Sequence, residues 1–433
     1  MNGNHRKVTR NLSLVASVER EFLSNLVFPE NSRPKSFDGR KNIAIVGGEL
    51  FNKGAQAMTF TVVDHLSKTY PEKDIILLSA QDYHRPPHEK SQYTFEILPW
   101  DPEVHLSLLS PSITTVNTTE YPSRVMKQVR ELFSSCACLI DISGYAFSSQ
   151  FSFKRSFTYL TNLVIAKKFG IPLYIFPQSI GPFDYSTPKK LVFNPLMQTY
   201  LHYPEVICPR ENAGVESLAP YTQSNVQREN DIVLQNKDYD LKNIYSSQPD
   251  IERRAIDPNG VGIVPNSKVF ERADPEELYS LYDAAIEELL SKDRSVYILR
   301  HSVEDLDLCR NIKRRFRDDD RVVLIKEELN AIELEYIIDQ FEFLIGSRYH
   351  SLIHAYKNHV PVIAIGWAVK YEELLKNFDQ EEFFFEGRKQ ISVDEFIDAI
   401  NRMSKQCSHE SGVIETKVKS IQQDDLFSRL FGE

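Results

Sequence analysis

Several things are scarce in this chain, and each scarcity removes a class of protein. Cysteine is rare, with five in 433 residues. Cys136 and Cys138 stand two apart in an apparent strand, and Cys208, Cys309 and Cys407 are scattered, so neither a disulfide framework nor a zinc-ligand spacing emerges. That suits a reducing compartment. Positive charge is short as well. The formal net charge of −10 argues against a nucleic-acid partner, whose binding depends on a basic face that releases counterions from phosphates. Long apolar runs are missing: nothing approaches the roughly 18 residues of a spanning helix, and the longest apolar region, 157–176, is broken by Lys167 and Lys168. Arg6, Arg10, Glu19 and Arg20 interrupt the start of the chain, so no secretory signal and no membrane span are expected. The sequons at Asn11 and Asn117 read as chance matches in a protein expected in the cytoplasm. Neither the dinucleotide pattern GxGxxG nor the P-loop pattern occurs, which removes two common phosphate grips.

What is present is ordinary globular chemistry: 42% hydrophobic, 11% aromatic and 26% charged residues. A length of 433 exceeds the size at which single cores stop growing, so two domains with extra segments are expected. Apolar runs alternate with helical patterns. Strands are predicted at 43–46, 75–78, 94–98, 138–142, 173–176 and 206–208, with helices at 55–69, 123–133, 153–169 and 189–200. After a polar stretch the pattern restarts, with strands at 261–264, 296–299, 322–325, 343–345 and 360–365 separated by helices at 275–290, 305–316, 331–339 and 349–356. Such alternation predicts an α/β chain of two doubly wound Rossmann-like domains, their carboxyl-end crevices facing a cleft. The expected division is an N-terminal extension (1–40), an N-terminal Rossmann-like domain (41–221), an interdomain connection (222–258), a C-terminal Rossmann-like domain (259–405) and a tail (406–433).

The most informative stretch is 343–367. An apolar strand stops at Gly346, a turn carrying Arg348 and His350 opens a short helix, and a second apolar strand follows. The free N–H groups and positive dipole end of such a helix attract anions, and here an arginine and a histidine stand there too. A basic residue kept for solubility explains the same pattern without a ligand.

Other turns at predicted strand ends carry polar groups. The stretch GELFNKGAQ (48–56) offers Asn52, Lys53 and Gln56 around Gly54. DISGYAFSSQ (141–150) places Asp141, Ser143 and Tyr145, although a capped helix start accounts for it equally well. PQSIGPF (177–183) turns Gln178 and Ser179 out of a strand, and CPREN (208–212) brings Arg210, whose planar fork bonds two oxygens at once. His301 follows one strand and Lys370 another. With Arg348 and His350, they could surround a small dianion. His350 and His354 are four apart, a metal-compatible spacing, but no nearby carboxylate completes a site, so His354 is expected in the packed face of its helix and no metal is expected.

In order and spacing, Asn52-Lys-Gly-Ala55, Pro177-Gln-Ser-Ile-Gly-Pro182, Arg210-Glu211, His301, Gly346-Ser-Arg348-Tyr-His350, the following HAYKNHVPVIAI segment and Lys370 resemble the polysaccharide pyruvyl transferases over 42–377. Tyr349 stands where the family usually has Leu, and SGYAFSS replaces a more glycine-rich loop. The resemblance implies a GT-B-like fold and transfer of the enolpyruvyl-derived group of phosphoenolpyruvate onto two hydroxyls of a saccharide as a ketal, with no cofactor. It implies donor binding by the Arg348-x-His350 motif, with Arg210 as a second donor-binding arginine; His301 and Lys370 join them as donor candidates by position, and the ketal chemistry makes His350 the candidate acid. Asp141 is the candidate base, and Asn52, Gln56, Tyr145 and Gln178 are candidates for acceptor contact. A lipid-linked acceptor at a membrane surface is compatible with this reading. A nucleotide-sugar glycosyltransferase of the same architecture and a non-catalytic saccharide-binding protein are the alternatives.

Overall fold

The parallel strands form where the sequence is apolar on both faces, as it must be when helices cover a sheet from either side. A computed structural model describes residues 2–27, 39–110, 120–251 and 253–432, so the sequon at Asn117 and most of the 31–40 segment lie outside the described residues. The chain divides into two compact units, each built on a parallel sheet, giving two Rossmann-like α/β domains.

The first unit contains β1 (Asn42–Val46), β2 (Asp74–Leu78), β3 (Glu96–Leu98), β4 (Cys136–Asp141), β5 (Tyr145–Phe147), β6 (Leu173–Ile180) and β7 (Val206–Pro209). The strand order is β3-β2-β1-β4-β6-β5, and β7 also pairs with β6. From β1 the chain runs outward to β2 and β3, then returns to the opposite side of β1 as β4, so the switch point falls between β1 and β4. The second unit contains β8 (Val261–Val264), β9 (Val296–Leu299), β10 (Val322–Ile325), β11 (Phe343–Gly346), β12 (Val362–Gly366) and β13 (Phe384–Glu386), in the order β10-β9-β8-β11-β12-β13. Its switch point lies between β8 and β11. Neither β5 nor β13 is anticipated by periodicity: each is only three residues long.

The units are less contiguous in sequence than the expected division. Residues Asn52–Thr61 and Asn230–Tyr239 belong to the second unit, and Asp240–Gln248 belong to the first. Ile232, Val233 and Leu234 are buried, against the helices Tyr349–Lys357 and Val393–Gln423. The expected tail is mostly helix: Val393–Gln423 runs unbroken, and Met403, Cys407, Ile414 and Val418 keep one apolar stripe at helical spacing among Ser, Gln and Lys. All five cysteine thiols are buried and free. Among the described residues no helix is long and apolar enough to cross a membrane.

The segment expected as an N-terminal extension with a short helix near 14–26 carries the longer helix Asn2–Val27, which packs on the helices Pro102–Leu109 and Phe153–Phe169. Leu14 and Val18 are buried in the core of the first unit, and Lys168 reaches Glu21 at 2.6 Å. Val18→Asp would place a carboxylate in that core with no partner. The expected result is destabilisation by about 3 kcal/mol or more, read as a lowered denaturant midpoint; an unchanged midpoint would show that the helix contributes nothing to the fold.

Candidate functional site

In the second unit the site is built on the turn after β11. Ser347 is fully buried; its carbonyl accepts from Asn266 Nδ2 (2.8 Å) and the Tyr371 hydroxyl (3.1 Å), and its own hydroxyl pairs with that of Tyr282 at 3.0 Å. This fixes Arg348, the cap residue of the helix Tyr349–Lys357, whose start has no side-chain cap. The Arg348 guanidinium is held as a fork: Nε donates to Asp305 Oδ2 (2.8 Å), while Nη2 donates to Asp305 Oδ1 (2.6 Å) and Glu304 Oε1 (2.7 Å). Burial alone would favour the neutral form, but Asp305 and Glu304 outweigh it and raise the Arg348 pKa. Asp305, itself fully buried, also accepts the backbone N–H of Ser267 at 3.0 Å. The turns after β8, β9 and β11 are therefore tied together through one carboxylate.

His350 follows on the same turn. A Cβ at Gly54 would lie 2.1 Å from its Nδ1, so only glycine lets the start of the helix Lys53–Thr69 approach this ring. The other ring nitrogen lies 3.9 Å from buried Asp231. His301 is buried nearby, and burial first, then the positive surroundings of His354, Arg348, His350 and Lys53, push its pKa well down, so it acts as a neutral imidazole. His354 is fully buried with Nδ1 3.2 Å from Glu335, which Lys357 also meets at 2.7 Å. Burial opposes ionisation of Glu335, but Lys357 and His354 prevail and hold its pKa at about 2. Lys370 lies over the Tyr349 ring at 4.8 Å. Among the described residues no group of His, Cys, Asp or Glu is arranged to hold a metal ion.

The second unit thus gathers Arg348, His350, His301 and Lys370, together with Asn52 and Gln56, which the sequence reading assigned to the N-terminal domain. Asn52 Oδ1 accepts from the N–H groups of Gly54 and Ala55 at its own helix start (3.1 and 3.4 Å), and Gln56 Oε1 accepts from Ala331 N at 2.9 Å. Both amide oxygens serve helix starts.

Arg210, Asp141, Gln178 and Tyr145 lie in the first unit. Buried Arg210 donates through Nη2 to Ser179 Oγ (2.9 Å) and the Gly144 carbonyl (3.1 Å). Asp141 is fully buried, accepts from Ser143 N (2.9 Å), Asn162 Nδ2 (3.3 Å) and Gln178 Nε2 (3.4 Å), and has its pKa raised by burial against those bonds. The Tyr145 hydroxyl donates to Gln150 Oε1 at 2.9 Å. Sequence reasoning passed over Asn266, Asp305, Asp231 and Glu49. Asn266, Asp305 and Glu49 all stand within a few residues of a parallel strand's carboxyl end, the position where polar residues in such sheets meet ligands.

Two substitutions probe this arrangement. Gly54→Ala should displace the His350 ring and lower turnover at least tenfold with little change in melting temperature, read by steady-state kinetics beside thermal unfolding; unaltered kinetics would mean that the ring's position is irrelevant. Asp305→Asn removes the charge of the main partner of the half-buried Arg348 guanidinium, and should cost about 2–3 kcal/mol in stability, checked by urea unfolding.

The likeness to known proteins agrees with this frame. UDP-GlcNAc 2-epimerase from Methanocaldococcus jannaschii superposes with a TM-score of 0.52 at 11% identity, over 83% of this chain and 92% of that one. UGT71G1 of Medicago truncatula, solved with UDP-glucose, gives 0.51 at 9% identity, over 91% and 96%. These likenesses establish the GT-B fold alone. No curated protein matches the sequence. Residues 52–368, most of the chain, match the sequence profile of one family. By that match the chain belongs to the polysaccharide pyruvyl transferases.

Proposed function

We propose that the protein transfers the enolpyruvyl-derived group of phosphoenolpyruvate to two hydroxyls of a saccharide, forming a ketal and releasing phosphate. The observation that carries the reading is the switch point of the second sheet, where Arg348 and His350 stand at an uncapped helix start, with Lys53 close enough to act on the same buried His301. Phosphoenolpyruvate presents a phosphate and a carboxylate, and a dianion suits a helix start flanked by cations. Arg348 Nε and Nη2 are taken by carboxylates, which leaves Nη1 for a ligand oxygen. His301, neutral, can donate one hydrogen bond without adding charge.

Ketal formation needs a proton on the methylene carbon, the attack of one hydroxyl on the adjacent carbon, and displacement of phosphate from that carbon by the second hydroxyl. The two hydroxyl protons leave as the two C–O bonds form. His350 is the residue we assign to the first of these proton transfers. Lys370 and Arg210 are assigned to the donor, Asp141 to base catalysis, and Tyr145, Gln178, Asn52 and Gln56 to acceptor contact. No cofactor is required by this chemistry. The acceptor is a saccharide, and a lipid-linked one is compatible with the reaction.

Incubation with phosphoenolpyruvate and a panel of hexoside acceptors should release phosphate and yield a pyruvylated saccharide. His350→Ala and Arg348→Ala should each lower turnover by a factor on the order of 10²–10⁴. Release of a nucleoside diphosphate from a nucleotide sugar, with no phosphate from phosphoenolpyruvate, would replace this reading with that of a glycosyltransferase. Saccharide binding with no turnover of either donor would make the protein a binder.

A further inference from the structure

A cavity of about 490 Å³ opens at the switch point of the first sheet, within the range of roughly 300–1,000 Å³ usual for small-molecule sites. Its walls come from the residues that follow successive parallel strands: Glu49 after β1, Ser79 after β2, Trp100 after β3 and Ser143 after β4. The helix Phe153–Phe169 closes it with Arg155 and Asn162. Gly47, with φ +77°, presses against Ser143, where a Cβ would lie 2.3 Å from the hydroxyl, so the floor of the cavity depends on a glycine.

Most polar groups in this wall are already committed. Trp100 Nε1 donates to Asn162 Oδ1 at 3.1 Å, and Asn162 Nδ2 donates to Asp141 at 3.3 Å, which holds both side chains rigid. Asp101, also in the wall, caps the helix Pro102–Leu109 and accepts the Tyr121 hydroxyl at 3.1 Å. Arg155 donates to the Tyr145 carbonyl at 2.8 Å and lies over the Phe151 ring. Glu49 differs. It sits next to Leu50, whose N–H is bound by buried Asp82 at 3.0 Å, and its carboxyl is pushed up to about 7 by burial, with Asp82 adding to the rise and Arg155 opposing it. Lys154 and Asp101 are the other charged groups in the same wall. A rigid aromatic flanked by fixed amide and hydroxyl groups, with one carboxyl poised between charge states, matches a polyhydroxylated ring better than a strongly charged ligand.

We propose that this cavity is a saccharide-binding site in which the Glu49 carboxylate receives a ring hydroxyl. The proposal rests on the transferase reading for the identity of the saccharide as acceptor. The Glu49 carboxylate fraction grows as pH rises through 7, and a hydroxyl bonds more strongly to a carboxylate than to a neutral carboxyl. Saccharide affinity should therefore increase with pH across neutrality.

The test uses the full chain, without phosphoenolpyruvate, and ligand-detected NMR with a panel of methyl hexopyranosides and short oligosaccharides at pH 6 and pH 8. Wild type should bind several-fold tighter at pH 8. Glu49→Gln should weaken binding roughly ten- to hundred-fold at pH 8 and abolish the pH dependence. Thr158→Trp, which fills the cavity from its helical wall, should remove saccharide binding while phosphoenolpyruvate still binds as in wild type. No binding across the panel, a Glu49→Gln variant that keeps the wild-type pH dependence, or undiminished binding by Thr158→Trp would each overturn the proposal. Phosphate release from phosphoenolpyruvate by the wild type is scored separately: its absence counts against the transfer reaction, whereas normal release with saccharide binding indifferent to Glu49 counts against the cavity alone.

Discussion

A single buried carboxylate organises the second sheet's switch point. Asp305 is fully buried, and a buried carboxylate is tolerated only if its oxygens are hydrogen-bonded. They are: two bonds from Arg348 and one from the Ser267 backbone fill them, with bidentate geometry on the arginine. The consequence is positional. Arg348 cannot sweep through rotamers to find a ligand; it is preset, and with it the first turn of the helix that carries His350. Fixing a charged fork before the ligand arrives spares the entropy of ordering it on binding. Asn266 and Tyr371 fix the preceding residue from the other side, so this turn is held along its length.

Much of this was legible in the sequence, for a definite reason. Strands of a parallel sheet are buried on both faces, so they read as uninterrupted apolar runs, and the residue where such a run stops is where the sheet meets solvent or ligand. That rule put Arg348, His350, His301, Arg210 and Asp141 at or just beyond strand ends, and there they stand. It could not say which unit a turn would join. Asn52 and Gln56 follow β1 in sequence yet belong to the second unit, because Gly54 admits the His350 ring and Gln56 satisfies the start of a helix nearly three hundred positions away in sequence. Contacts of that kind are set by packing, not by local pattern. The same limit hid Glu49: its neighbours Asp82 and Arg155 lie far along the chain, and nothing in the string GELFNKGAQ marks one carboxylate as different from any other surface glutamate. Only the first third of the long C-terminal helix, 393–403, reads as helical in the sequence, and the rest is lost for a simpler reason. Its apolar stripe is thin, and the intervening Ser, Gln and Lys residues imitate a loose tail.

The net charge of −10 and the anion-binding reading look opposed until the local pairs of the second unit are compared. Several cations there stand beside acids: Arg348 beside Asp305 and Glu304, Lys53 beside Glu328, Lys357 beside Glu335. An incoming anion does not fall into a field of bare positive charge; it must share cations that are already partly neutralised. A ligand with one negative group gains little from such a site. One with two anionic groups set a few ångströms apart can engage two cations at once and recover more than either exchange costs alone. On the proposed reading, the balanced pairs favour a small molecule bearing two separated negative groups over common monoanions. Keeping His301 neutral works in the same direction, since a protonated imidazole in that pocket would draw any anion regardless of shape.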